Sequence, residues 1–569
     1  MKIFNTVQDL KEARLTAGQL TETKGYHSAG DGGQARYLIQ TSAEFGGTPD
    51  EYGTHTLANG NVAVLQVEGA VNVRQFGAKG DGVTDDAGCF SAAFDYCEPF
   101  SGVTLSSGKN SVYFVSSLVV NKIVSFTCID GGLPVIKTNG IEFKSLNSPL
   151  IPIKISNIKI IPISQGSLSQ PNTALTVEAE NKTFGANQYL NIERVFIGRS
   201  GLANFYNGIK IKNTSVAVSE VEILALASSS ASALNGELSG WENNSGTGVF
   251  LENVTYGVVR NAKVYYSTDS IKVTGQSEDV LLSSCMCFEA RRNIVFEGLV
   301  NPSNQNRVEN CHGTAYLKGI DIQSGDALDK RLVLYTILNT SIFRSGACTA
   351  SEFIYLDAYS MESFFITNFS AFNSTVNGGN DKAIRLNNNG SWKCGYVFID
   401  GVYCKGVGIG VFSRTDGVSN TAKNIIMHKA NMVGDAVDVS YSASAGSQKL
   451  TTEIVFQNIN GNVRGFTPDS NNVLQANIGI DQGGGFKTNA ISPFEDGIRA
   501  IGSPTLRYAA SYVKDTYFIG ANGLSWKHGN FNPEGVVTSP PGSLFSRTDT
   551  GLLYVKQGTG VGNTGWVVK

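Results

Sequence analysis

Between residues 157 and 458 the chain repeats one short pattern: an apolar residue, any residue, Asn, then one or two more apolar residues, at an irregular spacing of about thirty. The Asn-type positions are Asn157, Asn261, Asn310, Asn339, Asn368, Asn431 and Asn458. Ser284 and Gly401 fill two slots, and Arg194 and Glu220 two more. From Asn261 the successive intervals are 23, 26, 29, 29, 33, 30 and 27 residues. A second ladder keeps step with the first, as apolar-x-apolar triplets begin at Ile271, Ile294, Ile320, Ile354, Ile384 and Ile409.

Alternation with period two inside each run predicts half-buried strands, and the variable gaps predict turns of different length. A β-sandwich also has many short strands, but it does not return the same residue types in two registered columns. The fold class expected is therefore all-β, a right-handed parallel β-helix in which apolar residues stack inward and the ladder Asn bonds neighbouring backbone at a turn. The boundaries expected are a small N-terminal adaptor module over 1–70, a capping helix with the β-helix over 71–480, and a C-terminal β-rich domain over 481–569.

Composition narrows the partners. Lys plus Arg is 45 against 48 acidic residues, a net charge of −3, with no basic run, which disfavours nucleic acid and anionic membrane. No run approaches a membrane span and the N-terminus lacks a signal segment, so membrane insertion is not expected. The 64 glycines and 30 phenylalanines with 14 prolines fit a turn-rich all-β chain, and the 16% charged residues fit a surface partly buried in an oligomer. The nine cysteines show no CxxC spacing, and Cys285 and Cys287 fall on one side of a strand as core thiols. The five histidines form no metal pattern, so no metal and no cofactor is expected.

In residues 71–98, Thr84 or Asp85 is placed to N-cap a helix whose Phe90, Ala93, Phe94 and Cys97 share a face. That face would close the open end of the solenoid. Asp81, Asp85 and Asp86 then read as capping and turn residues rather than as a site.

The segment FGAKGDGVTDD followed by an amphipathic helix resembles the start of the pectate-lyase-like β-helix superfamily. With GYHSAGDGGQARY before it, the pairing looks like bacteriophage tailspike proteins, and residues 502–513 and 533–566 are similar to the small β-domains that end many tailspikes. The resemblance implies a homotrimer attached to a phage tail or baseplate protein. Such a protein is made in the host cytoplasm, carried on the virion, and acts at the bacterial surface on capsular or O-antigen polysaccharide. It transfers no catalytic residue.

Candidate chemistry comes from strand alternation. The middle residue of each triplet and the one after it point outward, giving Lys272 and Thr274, Val295 and Glu297, Asp321 and Gln323, Tyr355 and Asp357, Arg385 and Asn387. Glu297, Asp321 and Asp357 are the expected catalytic carboxylates of an endo-glycosidase, with Asp326 a fourth candidate. Backbone spacing of roughly 8 Å for Glu297 and Asp321 fits an inverting pair, one acid having a raised pKa. Lys272, Tyr355, Arg385, Arg291 and Trp241 are the expected substrate contacts, Trp241 by stacking on a sugar. A polysaccharide lyase would instead draw its base and its uronate-neutralising group from Arg291, Arg292, His312, Tyr355 and Lys272. A non-cleaving receptor-binding spike would use the carboxylates only to hold hydroxyls, and a secreted pectin-degrading enzyme shares the cap motif without the two phage-like ends.

Overall fold

The computed structural model describes residues 1–97 and 526–569 apart from 559, and between them the strands of 101–480 with short interruptions. From 404 to 480 only strand pairing is described. Asp326, Asn458 and residues 502–513 lie outside the described residues, as do the side chains of Asp357 and Arg385.

The chain divides into two compact units, Met1–Phe486 and Lys487–Lys569. The first is a parallel β-helix of three strands per coil, each strand pairing in parallel with its counterpart one coil on. The triplet columns pair in the register expected: Ile209, Val249, Ile271, Ile294, Ile320, Ile354 and Ile384 form one continuous file. All seven are buried, and each fully buried aliphatic side chain contributes about 1.5–3 kcal/mol against exposure.

The Asn ladder marks the corners. Asn157, Arg194, Glu220, Asn261, Ser284, Asn310, Asn339, Asn368 and Gly401 all have φ between 48° and 68°, the left-handed region that Asn and Gly enter at least cost. Asn339 donates its side-chain amide to Asn310 Oδ1 at 3.2 Å, and Asn368 donates to Asn339 Oδ1 at 3.0 Å. Asn431 departs from the expected register by pairing with Tyr403, two residues past the Gly401 corner.

Helix Ala87–Tyr96 closes the first coil. Phe90 packs on Tyr113 and Phe126, and Phe94 on Phe126 and Phe143, so the expected apolar face does cap the core. The N-cap is Asp86, one residue later than expected, and its carboxylate does not cap the helix. It turns back to accept from the backbone N–H groups of Lys79 and Gly80. Asp85 accepts from Ala87 N–H at 3.0 Å, and Asp81 accepts from Val83 and Thr84.

Before the cap, residues 2–65 form a five-stranded sheet whose buried residues continue into the solenoid core. The GYHSAGDGGQARY stretch is organised by Asp31, whose carboxylate accepts from the backbone N–H of Tyr26, His27, Ser28 and Gly33. Arg74, buried, donates to Asp31 O at 2.7 Å and to Tyr113 Oη at 3.0 Å, and His27 Nε2 lies 2.8 Å from Gly77 O, so the two recognisable motifs are tied to each other. The second unit carries a four-stranded sheet within 526–569. Val537, Phe545, Tyr554 and Trp566 pack together there as a small core.

Candidate functional site

Strands Asp269–Gly275, Met286–Leu299, His312–Ser324 and Glu352–Ala358 lie side by side on one lateral sheet. The outward file pairs Lys272 with Val295, Val295 with Asp321, Asp321 with Tyr355 and Tyr355 with Arg385. It is not a solvent-facing file, however. Val295 is buried and Asp321 is 0% exposed, because neighbouring charged side chains fold across it.

Arg292 organises this layer. Its Nε and Nη2 reach both oxygens of Asp269 at 2.7 and 2.8 Å, and its Nη1 reaches Glu297 Oε2 at 2.8 Å and Asp321 Oδ2 at 2.9 Å. Asp321 also accepts from Lys318 at 3.1 Å and from Gln323 at 2.8 and 2.9 Å. Lys272 pairs with the other oxygen of Glu297. The Lys318 ammonium lies 3.5 Å from the centre of the Tyr355 ring and 3.9 Å from Glu352.

Electrostatics follow from the packing. Burial alone would raise the Glu297 carboxyl, but the Arg292 guanidinium beside it and the hydrogen bonds from Lys272 and Arg292 outweigh burial and hold its pKa at about 2. The raised pKa expected of a general acid is therefore not found at Glu297. Burial would lower the Arg292 pKa, but the charges of Asp269, Glu297 and Asp321 raise it above its ordinary value. Because Glu297 and Asp321 share one guanidinium nitrogen, their bonded oxygens lie within ~6 Å of each other, tighter than the ~6.5–9.5 Å of an inverting pair. With a guanidinium between them, the backbone spacing expected for this pair does not translate into a water-sized gap.

The other sequence candidates are placed as follows. Trp241 is 0% exposed and packs on Tyr316 with ring centres 5.4 Å apart, so it holds an inner position and offers no open face to a sugar. Arg291 is buried on the strand beside Arg292. His312 opens the strand His312–Ser324 but lies in its first part, which pairs with Met286 and Ser341 before the strand reaches the charged file; it is bonded to Ser341 Oγ at 2.8 Å and packed between Phe288 and Phe343. The lyase set is thus not brought together: His312 is elsewhere, and Arg292 is engaged by three carboxylates.

Sequence reasoning missed Asp269, Lys318 and Glu352, and gave Arg292 a different role. Strict alternation from Ile271 and Ile294 sends Asp269 and Arg292 inward. Ser270 and Asn293 are buried together with the residues that follow them. Two successive side chains therefore turn into the core where each strand enters this sheet, and the residue before them comes out. The signal was in the sequence, since Gly208, Gly248, Ser270, Asn293 and Gly319 make that column small or polar. An added Cβ at Gly319 would meet Phe353 O at 2.4 Å.

Fold and site together define a parallel β-helix with a half-buried network of carboxylates and cations on one lateral sheet. No family model matches the sequence, and no curated protein matches it either. Several solved structures with a similar fold are phage tailspikes. One is the enzymatically active domain of tailspike protein 2 of bacteriophage CBA120, at 17% identity and a TM-score of 0.43, covering 70% of this chain and 57% of that one. Another is tailspike gp49 of Acinetobacter baumannii bacteriophage Fri1, described as a capsular polysaccharide depolymerase, at 13% identity and a TM-score of 0.34, covering 80% and 70%. The catalytic unit of a GH87 alpha-1,3-glucanase from Streptomyces thermodiastaticus is similar at 14% identity and a TM-score of 0.41, covering 74% and 73%. At these identities and scores nothing about activity is carried over.

Proposed function

We propose that this chain is a phage tailspike that binds host capsule or O-antigen on the lateral sheet around Arg292 and cleaves it as an endo-acting glycoside hydrolase. In this reading it is a homotrimer, made in the host cytoplasm and attached to a tail or baseplate protein. The sequence resemblance at the cap supports the tailspike assignment. The observation that carries the enzymatic reading is Glu297, a carboxylate 26% exposed and held by two cations in an otherwise covered charge layer. Perturbed carboxylates of this kind concentrate at functional sites.

Glu297 is ionised near neutral pH, which suits the base that activates water, although a carboxylate at pKa about 2 is a weak one. Base strength rises when a cation contact is lost. Lys272, at 23% side-chain exposure against 12% for Arg292, is the partner that glycan hydroxyls reach first. The acid is assigned to Asp357, two coils along from Glu297 on the same sheet, roughly 9.6 Å away between backbone positions, near the upper end of the ~6.5–9.5 Å inverting range. Asp326 is the reserve candidate. Asp321, satisfied by Arg292, Lys318 and Gln323, takes a positioning role.

The mutual satisfaction of carboxylates and cations favours one second reading, a non-cleaving receptor-binding spike. Incubation with capsular and lipopolysaccharide preparations, following new reducing ends together with the ultraviolet absorbance of unsaturated uronates, separates the readings. Reducing ends that vanish in Glu297→Gln support the hydrolase, absorbance makes it a lyase, and binding without either leaves the spike.

A further inference from the structure

The charged sheet continues into the coils before Lys272, and its outer face changes character there. Thr176, Lys210, Phe250 and Lys272 follow one another in a single file, each one coil on from the last. Val249 and Leu251, on either side of Phe250 in its strand, are buried in the core, so the Phe250 ring stands on the outside, where it is half-buried. The Lys210 ammonium lies 5.6 Å from the centre of that ring. Phe250 thus has a lysine one coil to each side of it in its own file.

The pairing of charges singles out Lys210. In the neighbouring file Lys212 lies 3.5 Å from Glu178 and 3.6 Å from Glu252, so those two carboxylates share one cation. Lys272 is taken by Glu297 and lies 3.8 Å from Asp269. Lys210 makes no ion pair among the described residues, and its contact is the Phe250 ring. Tyr355, at the other end of the charge layer, is different, because the Lys318 ammonium 3.5 Å from its ring centre is already held by Asp321 and Glu352. One ring carries a cation whose charge is spent, the other a cation whose charge is free to meet a ligand. The apolar face of a pyranose packs on an aromatic ring, and a carboxylate on that sugar would reach the Lys210 ammonium without displacing a protein carboxylate.

We propose that Phe250 and Lys210 form a subsite for an acidic sugar of the host polysaccharide, the ring taking the sugar's apolar face and the ammonium its carboxylate. The inference rests on the proposed function for its site and names the class of glycan: a polymer with a uronic acid or another carboxylated sugar in its repeat. The subsite lies two coils before Glu297 and two residues off along the strand, roughly 12 Å away between backbone positions. The acidic sugar is therefore held to one side of the bond to be cut and takes no part in cutting it.

The test is surface plasmon resonance of the full chain on immobilised capsular and lipopolysaccharide preparations, each used as isolated and after reduction of its carboxyl groups to alcohols. For a preparation that the unaltered chain retains, carboxyl reduction is expected to weaken binding about tenfold, and Lys210→Met and Phe250→Ala each by about as much. Lys210→Met is expected to bind native and reduced polymer alike and Lys210→Arg to keep the preference, with circular dichroism showing the fold of each variant unchanged. Equal binding of native and reduced polymer by the unaltered chain overturns the inference and leaves glycan cleavage at Glu297 standing. A loss on reduction that Lys210→Met shows in full overturns it too, since the carboxylate is then read elsewhere. Binding to none of the preparations overturns the proposed function, and the subsite with it.

Discussion

Two groups of carboxylates in this chain differ in how they are neutralised. At the cap, Asp31, Asp81, Asp85 and Asp86 accept almost entirely from backbone N–H groups. On the lateral sheet, Asp269, Glu297 and Asp321 accept from the side chains of Arg292, Lys272, Lys318 and Gln323. Backbone donors are fixed by the fold, so a carboxylate they hold serves shape. Side-chain donors can exchange one partner for another, so a carboxylate they hold can answer a ligand.

The sharpest way to break this contrast is to neutralise one carboxylate in each cluster and assay polysaccharide cleavage. Glu297→Gln is expected to lower the rate by about 10²–10⁴ and Asp85→Asn to leave it unchanged; equal losses would erase the distinction. Arg292→Met comes next, with an expected cost of about 3–5 kcal/mol in denaturant unfolding because buried Asp269 and Asp321 lose the guanidinium they share and keep only Lys272 at 3.8 Å and Lys318 at 3.1 Å as counter-charges. Asp31→Ala removes four acceptor contacts from one loop and is expected to cost about 2–3 kcal/mol with cleavage intact.

The smallest effects are two separate pH windows. The Glu297 pKa is depressed to about 2 from 4.5, so its stabilisation is present above 4.5 and lost as pH falls toward 2. His55 is buried in the N-terminal sheet, and burial depresses its pKa from 6.5 to about 4. The unfolded chain binds that proton first, so stability falls from pH 6.5 toward 4. Thermal melts across both windows should show Glu297→Gln flattening only the lower and His55→Phe only the upper.

The solenoid was legible because its corners and core columns are each set by one residue type at a time: Asn or Gly for a left-handed corner, Ile or Val for an inward file. The charged sheet was half legible. The file Lys272, Asp321, Tyr355 and Arg385 followed from alternation, but Asp269, Lys318 and Glu352 did not, because two consecutive residues turn inward where the strand bends and period two fails there. Burial of Trp241 and the shared guanidinium between Glu297 and Asp321 depend on side-chain direction in three dimensions, which no spacing encodes.

The corners at Asn339 and Asn368 each carry an amide that reaches back to the equivalent amide 29 residues earlier. A corner closed in this way leans on its neighbour in the ladder, so the winding between two such corners is a removable cassette. Excising residues 340–368 would rejoin two equivalent corners and leave a shorter spool that still melts cooperatively by circular dichroism. Excising one residue fewer would turn the next strand inside out. A gene for such a protein can lengthen, shorten or exchange whole windings while the reading of its core stays in phase.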